Sequence, residues 1–293
     1  GAVETWSIEA MMQDGKALQA GTSHYLGTNF AKASGIKYQA QEGGEQFAHT
    51  TSWGVSTRLI GGIIMTHGDD DGLRVPPKLA PWQVVILPML RGNDDDAALI
   101  EYCEGLRATL AGQQALGEPV RVLLDTKPGK PAQKRWDWVR KGAPVIVEVG
   151  GRDMENGVVT LIRRDNLWDM ETGKLNSQAP TRESAGETIP GLLGDIQQAL
   201  FTEAAERRDA NIATGIDSWD GVVEFFANNG KYPGWVEVQW AKPTGDALEQ
   251  VVEKLKDQKL TVRNVPRDAT PADGTCIFTG EPAVERVYVA RAY

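Results

Sequence analysis

Apolar and polar residues alternate with period two over Glu4–Met11 and again over Ala17–Tyr25, which predicts two strands. A third strand is expected over Phe47–Ser52, running into a helix over Gly54–Thr66. No βαβ crossover separates these strands, so antiparallel pairing is expected. In the helix, Val55, Leu59, Ile60, Ile63 and Ile64 form one stripe that reads as buried, which leaves Ser56 and Arg58 off it and displayed. From Pro81 to Asp165 the rhythm becomes that of an α/β unit: strand Val84–Pro88, helix Asp95–Ala111, strand Arg121–Asp125, helix Ala132–Arg140, strands Val145–Gly150 and Val158–Arg163. A polar stretch, Asp169–Glu187, reads as a linker or long excursion. Beyond it come an amphipathic helix carrying Ile189, Leu192, Leu193, Ile196, Leu200 and Phe201, a helix at Trp219–Asn228, a strand at Trp235–Trp240, a helix at Asp246–Lys256, a strand at Leu260–Val265 and a closing hairpin from Cys276 to Tyr293. The expected fold class is therefore α/β and α+β, in more than one domain.

Length and composition agree with that division. A chain of 293 residues exceeds the ~100–200 typical of one domain, and 41% hydrophobic with 24% charged residues is a globular balance. No stretch approaches the ~18–20 apolar residues of a membrane-spanning helix, so no membrane partner is expected. Two cysteines build neither a disulfide framework nor a four-cysteine zinc site, and no secretory signal opens the chain, which points to a reducing, cytoplasmic compartment. Strand-like sequence begins almost at Gly1, as in a chain cut inside a domain. The acid run Asp94–Asp96 is expected at the positive end of a helix capped by Asn93. Cys103 shares a stripe with Leu99, Ile100, Leu106 and Leu110, the setting of an inert buried thiol. His67–Gly72 lacks the alternating acids of a calcium loop and reads as an exposed turn.

Net charge is −9, which argues against wholesale capture of nucleic acid, yet Lys127–Lys141 is net +5 because six basic residues face only Asp137. Phosphate-loop, dinucleotide-binding, HExxH and GxSxG motifs are missing. Two polar stretches stand out instead. In Gln19–His24, Thr22 and His24 share one face of a strand and Ser23 takes the other. In Ser52–Arg58, hydroxyls and a guanidinium open a helix, groups suited to a phosphate chain.

Around these stretches the segments GKALQAGTSHYLGTNF, FAHTTSWGVSTRLIGGIIMTHGDD and GLRVPPKLAPWQVVILP closely resemble prolyl-tRNA synthetases of the archaeal/eukaryotic-like type. The resemblance continues through KGAPVIVEVGGRDMENGVVTLIRRD and spans essentially the whole chain. It implies a remnant of a class II antiparallel-sheet catalytic domain at 1–79, an α/β anticodon-binding domain at 80–185 and an α+β C-terminal domain at 186–293. It further implies ATP contacts from Gln19, Thr22 and Arg58, with Arg58 the catalytic arginine. Proline contacts would come from His24 and the pocket-wall Trp53, and Ser56 would lie near Mg²⁺. Such enzymes join L-proline to tRNA(Pro) with ATP and act as homodimers.

The upstream half of that catalytic domain, with class II motifs 1 and 2, is absent from the sequence, so the chain alone is expected to be inactive. Many relatives hold zinc with four cysteines, whereas Thr279 stands three residues after Cys276, so no zinc is expected. Trp136 interleaved with Lys134, Arg135, Arg140 and Lys141 suits phosphates and stacked bases and is assigned to the anticodon. Because Trp136 and Trp138 are two apart on a helix, at most one is expected to stack. Alternation over Val287–Tyr293 predicts that the terminal Tyr293 is ordered and docked, and the resemblance implies a place near His24 or Arg58. The rival reading is a non-catalytic tRNA-binding or accessory module, which would have no use for Gln19, Thr22, His24 and Arg58 together.

Overall fold

The computed structural model of the chain describes residues 1–228 and 233–293. The first segment holds β1 (Glu4–Met11), β2 (Ala17–Gly27), α1 (Asn29–Ser34), β3 (Lys37–Gln39), β4 (Glu45–Phe47), β5 (Thr50–Gly54) and α2 (Arg58–His67). The middle holds β6 (Val84–Pro88), α3 (Asp96–Ala111), β7 (Gln114–Ala115), β8 (Glu118–Pro119), β9 (Val122–Leu124), α4 (Pro131–Lys141), β10 (Val145–Val149), α5 (Gly151–Glu155), β11 (Thr160–Arg163), β12 (Ser177–Gln178) and α6 (Arg182–Ala210). Last come β13 (Ile212–Ala213), α7 (Trp219–Asn228), β14 (Trp235–Trp240), α8 (Gly245–Asp257), β15 (Thr261–Val262) and β16 (Glu285–Ala290). Two compact units result, Gly1–Thr66 with Glu206–Tyr293, and His67–Ala205. No helix among the described residues is long and apolar enough to cross a membrane.

The first unit contains two sheets. β1, β2 and β5 pair antiparallel in that order, as the lack of crossovers required. The other sheet has the order β13-β14-β16-β15. They meet through Met11, Ala17, Trp235 and Ala290, and Ala17 N–H donates to the Arg291 carbonyl at 2.8 Å. Of the expected closing hairpin only a short part is formed, an antiparallel bridge between Thr275 and Pro282. The chain turns at Cys276–Gly280, and β16 then enters the sheet between β14 and β15, because its alternating Val287 and Val289 can be buried only in an interior position. The strand expected at Leu260–Val265 is limited to Thr261–Val262.

The α2 stripe departs from expectation. The chain stays extended through Gly54 and the helix starts at Arg58, so Val55 precedes it. Val55, Ile60 and Ile64 are exposed, and only Gly62 of α2 is buried, its Cα facing Leu18. Trp6, Ile8 and Trp53 share the exposure, and among the described residues nothing covers this apolar face.

The second unit is a five-stranded sheet, β12-β11-β10-β6-β9, with β10, β6 and β9 parallel and β11 and β12 antiparallel. Its central strands are buried on both faces. Val84, Ile86, Val145 and Val147 point towards α3 and α6, while Val85, Leu87 and Ile146 point towards Val139 of α4. The polar stretch at Asp169–Glu187 is not a free linker: Ser177–Gln178 pairs with β11, and α6 has already begun at Arg182. The apolar stripe Ile189, Leu193, Ile196 and Leu200 completes the core beside Leu99, Leu106 and Cys103, with Phe201 left exposed. Burial pushes the Cys103 thiol up to about 12, and the neighbouring Glu104 adds to the effect. Asn93 is not the cap. Asp95 precedes the helix, and the carboxylate of Asp96 accepts the Arg91 and Gly92 N–H groups at 2.9 and 2.7 Å.

The turn at His67–Gly72 is tethered. Asp69 takes both arms of the buried Arg164, at 2.8 and 2.5 Å, and the guanidinium Nε donates to the Val139 carbonyl. Gly142, at φ 78°, closes α4 where a Cβ would meet the Leu73 carbonyl oxygen at 2.5 Å, so a side chain there is excluded.

Leu193→Ala should cost about 3 kcal/mol, the scale for a leucine cavity in a well-packed core, measured as the urea midpoint of the His67–Ala205 unit. A change below ~0.5 kcal/mol, the range of surface substitutions, would remove α6 from that core.

Candidate nucleotide and RNA sites

The first site is built on β1 and β2. Their register pairs Thr5 with His24, Ser7 with Thr22 and Ile8 with Gly21, then shifts so that Glu9 pairs with Gln19. Ala20 is the extra residue of a β-bulge. Strict alternation would have sent Gln19 to the face opposite Thr22; the bulge brings it onto the face of Thr22 and His24. The hydrogen bonds agree, since Thr5 Oγ1 lies 2.9 Å from His24 Nδ1 and Gln19 Nε2 donates to Glu9 Oε1 at 3.5 Å.

Gln19, Thr22, Ser56 and Arg58 line one cleft of about 180 Å³. Gly54 gives it room, because a Cβ there would stand 3.4 Å from Thr22 Oγ1. Arg58 opens α2 and donates from Nε to Ser56 Oγ at 3.0 Å, which orients an exposed guanidinium beside hydroxyls and an amide. Such a set can neutralise and orient a phosphate chain. His24 lies on the same face of the sheet, two residues beyond Thr22. Trp53 does not join it. The β2–β5 register sets Trp53 opposite Ser23 and Ser52 opposite His24, so Trp53 lies on the other face with Trp6.

The face holds a pair that sequence reasoning missed. Arg263 donates from Nη2 and Nε to Glu9 Oε2 at 2.7 and 3.1 Å, and the Glu9 side chain is only 1% exposed. The alternation Thr5, Ser7, Glu9 was a legible signal for the polar face of β1; nothing in the sequence pointed to a partner 254 residues away.

The second site is the basic segment. Lys134 is turned inwards, its Nζ donating to the carbonyls of Asp125 and Lys127 at 2.6 and 2.9 Å. Arg135 forks onto the buried Glu148, with both contacts at 2.7 Å. Arg140 is exposed and paired with Asp137 at 2.5 Å, and Lys141 lies over the Trp138 ring at 4.5 Å. Trp138 donates to Asp125, whose carboxyl is held below its usual range: burial acts against ionisation, but Trp138, the Lys127 N–H and Lys134 outweigh it. Trp136 stacks on Trp168 with ring centroids 5.7 Å apart. Lys127 and Lys130 remain exposed, and Lys127 lines a cleft of about 300 Å³ with Pro88, Leu90, Asp96 and Gly129 at the carboxyl ends of β6 and β9.

Tyr293 is docked, though not at His24 or Arg58. Its N–H donates to the Ala17 carbonyl at 3.2 Å, its hydroxyl to Asp14, and Lys16 Nζ lies 4.6 Å from its ring centre. The start of β2 anchors it, with Ala17 two residues before Gln19 of the cleft. Cys276 is buried, and its thiol is shifted down although burial opposes this, because Thr279 and the N–H groups of Ala241, Phe278 and Thr279 hydrogen-bond to sulfur. Among the described residues no group of three or more His, Cys, Asp or Glu is arranged to hold a metal.

Residues 83–178 match the family described as "Anticodon binding domain". Over its full 293 residues the chain is 65% identical to "Proline--tRNA ligase" of Erythrobacter litoralis, and 60% identical to the proteins of that name from Novosphingobium aromaticivorans and Sphingomonas elodea. It spans 57% of the length of each of these three relatives.

Burial raises the Asp14 carboxyl, but Tyr293 and Lys16 outweigh it and hold it below 3.8. A lowered carboxylate stabilises above the unfolded value of ~3.9 and loses that contribution as pH falls through the folded value. Protection of the Tyr293 amide in hydrogen exchange should therefore be flat from about pH 5 to 7 and fall below about pH 4. Asp14→Asn should abolish the dependence.

Proposed function

We propose that this sequence is the C-terminal part of a proline–tRNA ligase, a class II aminoacyl-tRNA synthetase of the archaeal/eukaryotic-like type. The observation that carries the reading is the convergence of Gln19, Thr22, Ser56 and Arg58 on one cleft, in a chain similar over its whole length to proline–tRNA ligases. On this reading residues 1–79 derive from the catalytic domain, 80–185 from the anticodon domain and 186–293 from the C-terminal domain, with α6 lending its first turns to the middle core. The complete enzyme would be a cytoplasmic homodimer.

In the reaction, proline attacks the α-phosphate of ATP, pyrophosphate leaves, and the adenylate then acylates the terminal ribose of tRNA(Pro). Charge develops on phosphate oxygens, so fixed donors act by positioning and electrostatic stabilisation, with no covalent protein intermediate. Arg58 is suited to the phosphates because its guanidinium is held by Ser56. Gln19 and Thr22 contact the nucleotide. His24, with Nδ1 engaged by Thr5, keeps Nε2 for the proline carboxylate or the adenylate. Trp53 lies on the opposite sheet face and would act as a pocket wall only indirectly.

Mg²⁺ would supply charge neutralisation on the phosphates. The cleft offers it the Ser56 hydroxyl but no carboxylate, which fits an ion held chiefly by ATP and by residues outside this sequence. Zinc has no part in the reading, since Cys276 is engaged by Thr279 and backbone N–H groups.

The accessory-module alternative is disfavoured by the assembled cleft, which an RNA-binding module does not use. In the longer polypeptide carrying this sequence, Arg58→Ala should slow proline-dependent ATP–pyrophosphate exchange by about 100-fold, the scale for one lost transition-state donor. A rate within about threefold of wild type would remove Arg58 from the reaction.

For tRNA, the exposed Lys127 and Lys130 are better probes than Lys134 and Arg135, which are engaged within the protein. Lys127→Ala with Lys130→Ala should weaken tRNA(Pro) binding and reduce the slope of log affinity against log salt by roughly 0.7–0.9 per lost phosphate contact. Proline activation should be unchanged, and an unaltered slope would make the segment ordinary solvated surface.

A further inference from the structure

Gln19 stands between two clefts. One is shared with Thr22, Ser56 and Arg58; the other, of about 660 Å³, is lined by Thr5, Ser7, Gln19, Lys242 and Arg263. Across the second cleft runs a chain of contacts from the C-terminal segment to the polar face of the sheet. Thr261 Oγ1 accepts from Arg263 Nη1 at 3.0 Å, which pins the guanidinium. Its Nε and Nη2 converge on Glu9 Oε2, leaving Oε1 to accept from Gln19. A carboxylate 1% exposed needs a counter-charge, and Arg263 supplies it, itself only 13% exposed.

The chemistry of this chain determines how the Gln19 amide is oriented. A carboxylate only accepts hydrogen bonds, so the amide must turn its NH₂ towards Glu9, and its oxygen is then aimed away from that pair. The bulge at Ala20 is what sets Gln19 in line with Glu9. We propose that Arg263 is a positioning residue for the nucleotide cleft: through Glu9 it fixes the Gln19 amide with its oxygen outward, so that the cleft selects a ligand group that donates a hydrogen bond. This rests on the nucleotide reading of the cleft given above. It gives the C-terminal segment a part in substrate binding without any contact to substrate.

The test is a double-substitution cycle in the longer polypeptide, read by proline-dependent ATP–pyrophosphate exchange. Arg263→Met should raise the KM for ATP by roughly tenfold and leave the KM for proline within about twofold. In a Gln19→Ala background the same substitution should change the KM for ATP by less than about twofold, since the side chain it positions is gone. An equal rise in both backgrounds, or a parallel rise for proline, overturns the proposal. If Arg263→Met does not fold because Glu9 is left buried without a counter-charge, Glu9→Gln with Arg263→Met removes both charges. That pair should still raise the KM for ATP, and only when Gln19 is present; a KM equal to wild type overturns the proposal. Absence of any exchange by the unsubstituted polypeptide would defeat the ligase reading itself, and this inference with it, whereas additivity in an active enzyme defeats the inference alone.

Discussion

The ladder between β1 and β2, with its single slip at Ala20, is the constraint on which the rest of the first unit depends. Before the slip, Thr5 meets His24 and Ser7 meets Thr22; after it, Glu9 meets Gln19. One extra residue on β2 thus adds Gln19 to the face that alternation already gives to Thr5, Ser7, Glu9, Thr22 and His24. The same ladder receives β5 along one edge, which brings Gly54 beside Thr22 and delivers Ser56 and Arg58 to the cleft. At its other end it takes the Ala17 contacts to Arg291 and Tyr293. A bulge is costly in lost pairing and is retained where it re-aims a side chain.

Charge is managed by pairing. The segment Lys127–Lys141 is the most basic part of an acidic chain, yet its two most enclosed cations serve the fold: Lys134 ties down the loop after β9, and Arg135 neutralises Glu148 on the buried strand β10. A buried carboxylate left without a partner is strongly destabilising, so these cations are held in place by the interior and not by a ligand. The exposed cations Lys127, Lys130, Arg140 and Lys141 are left on the rim, and Lys127 lines a cleft at the carboxyl ends of the parallel strands, where α/β sheets commonly place their ligands.

Apolar periodicity was a good guide to where helices lie and a poorer guide to what they touch. The α6 stripe was legible as amphipathic, and its polar N-terminal lead-in suggested a separate domain. The structure instead packs Ile189, Leu193, Ile196 and Leu200 on the β-sheet core of the middle unit. The α2 stripe was equally legible and is largely exposed, as are Trp6, Ile8 and Trp53 on the sheet beside it. Periodicity reports that a face is apolar; it carries no information about which surface meets it.

Taken by itself, the sequence determined the local pattern: eight-residue alternation for β1, the apolar-rich strands β6 and β10, and the 3.6-residue stripes of α3, α6 and α8. These depend on neighbours a few residues away, so they are readable from neighbours. It also displayed the residue types of both candidate sites, for which the resemblance implied roles. Tertiary structure decided which of them meet. The bulge that turns Gln19 to the face of Thr22, the sheet register that sends Trp53 to the other side, the anchoring of Tyr293 at Asp14, and the pairing of Glu9 with Arg263 all depend on strand register or on contacts between distant segments. Register is set by the whole ladder and by the burial of each face, and a shift of one residue exchanges the faces without altering any local propensity.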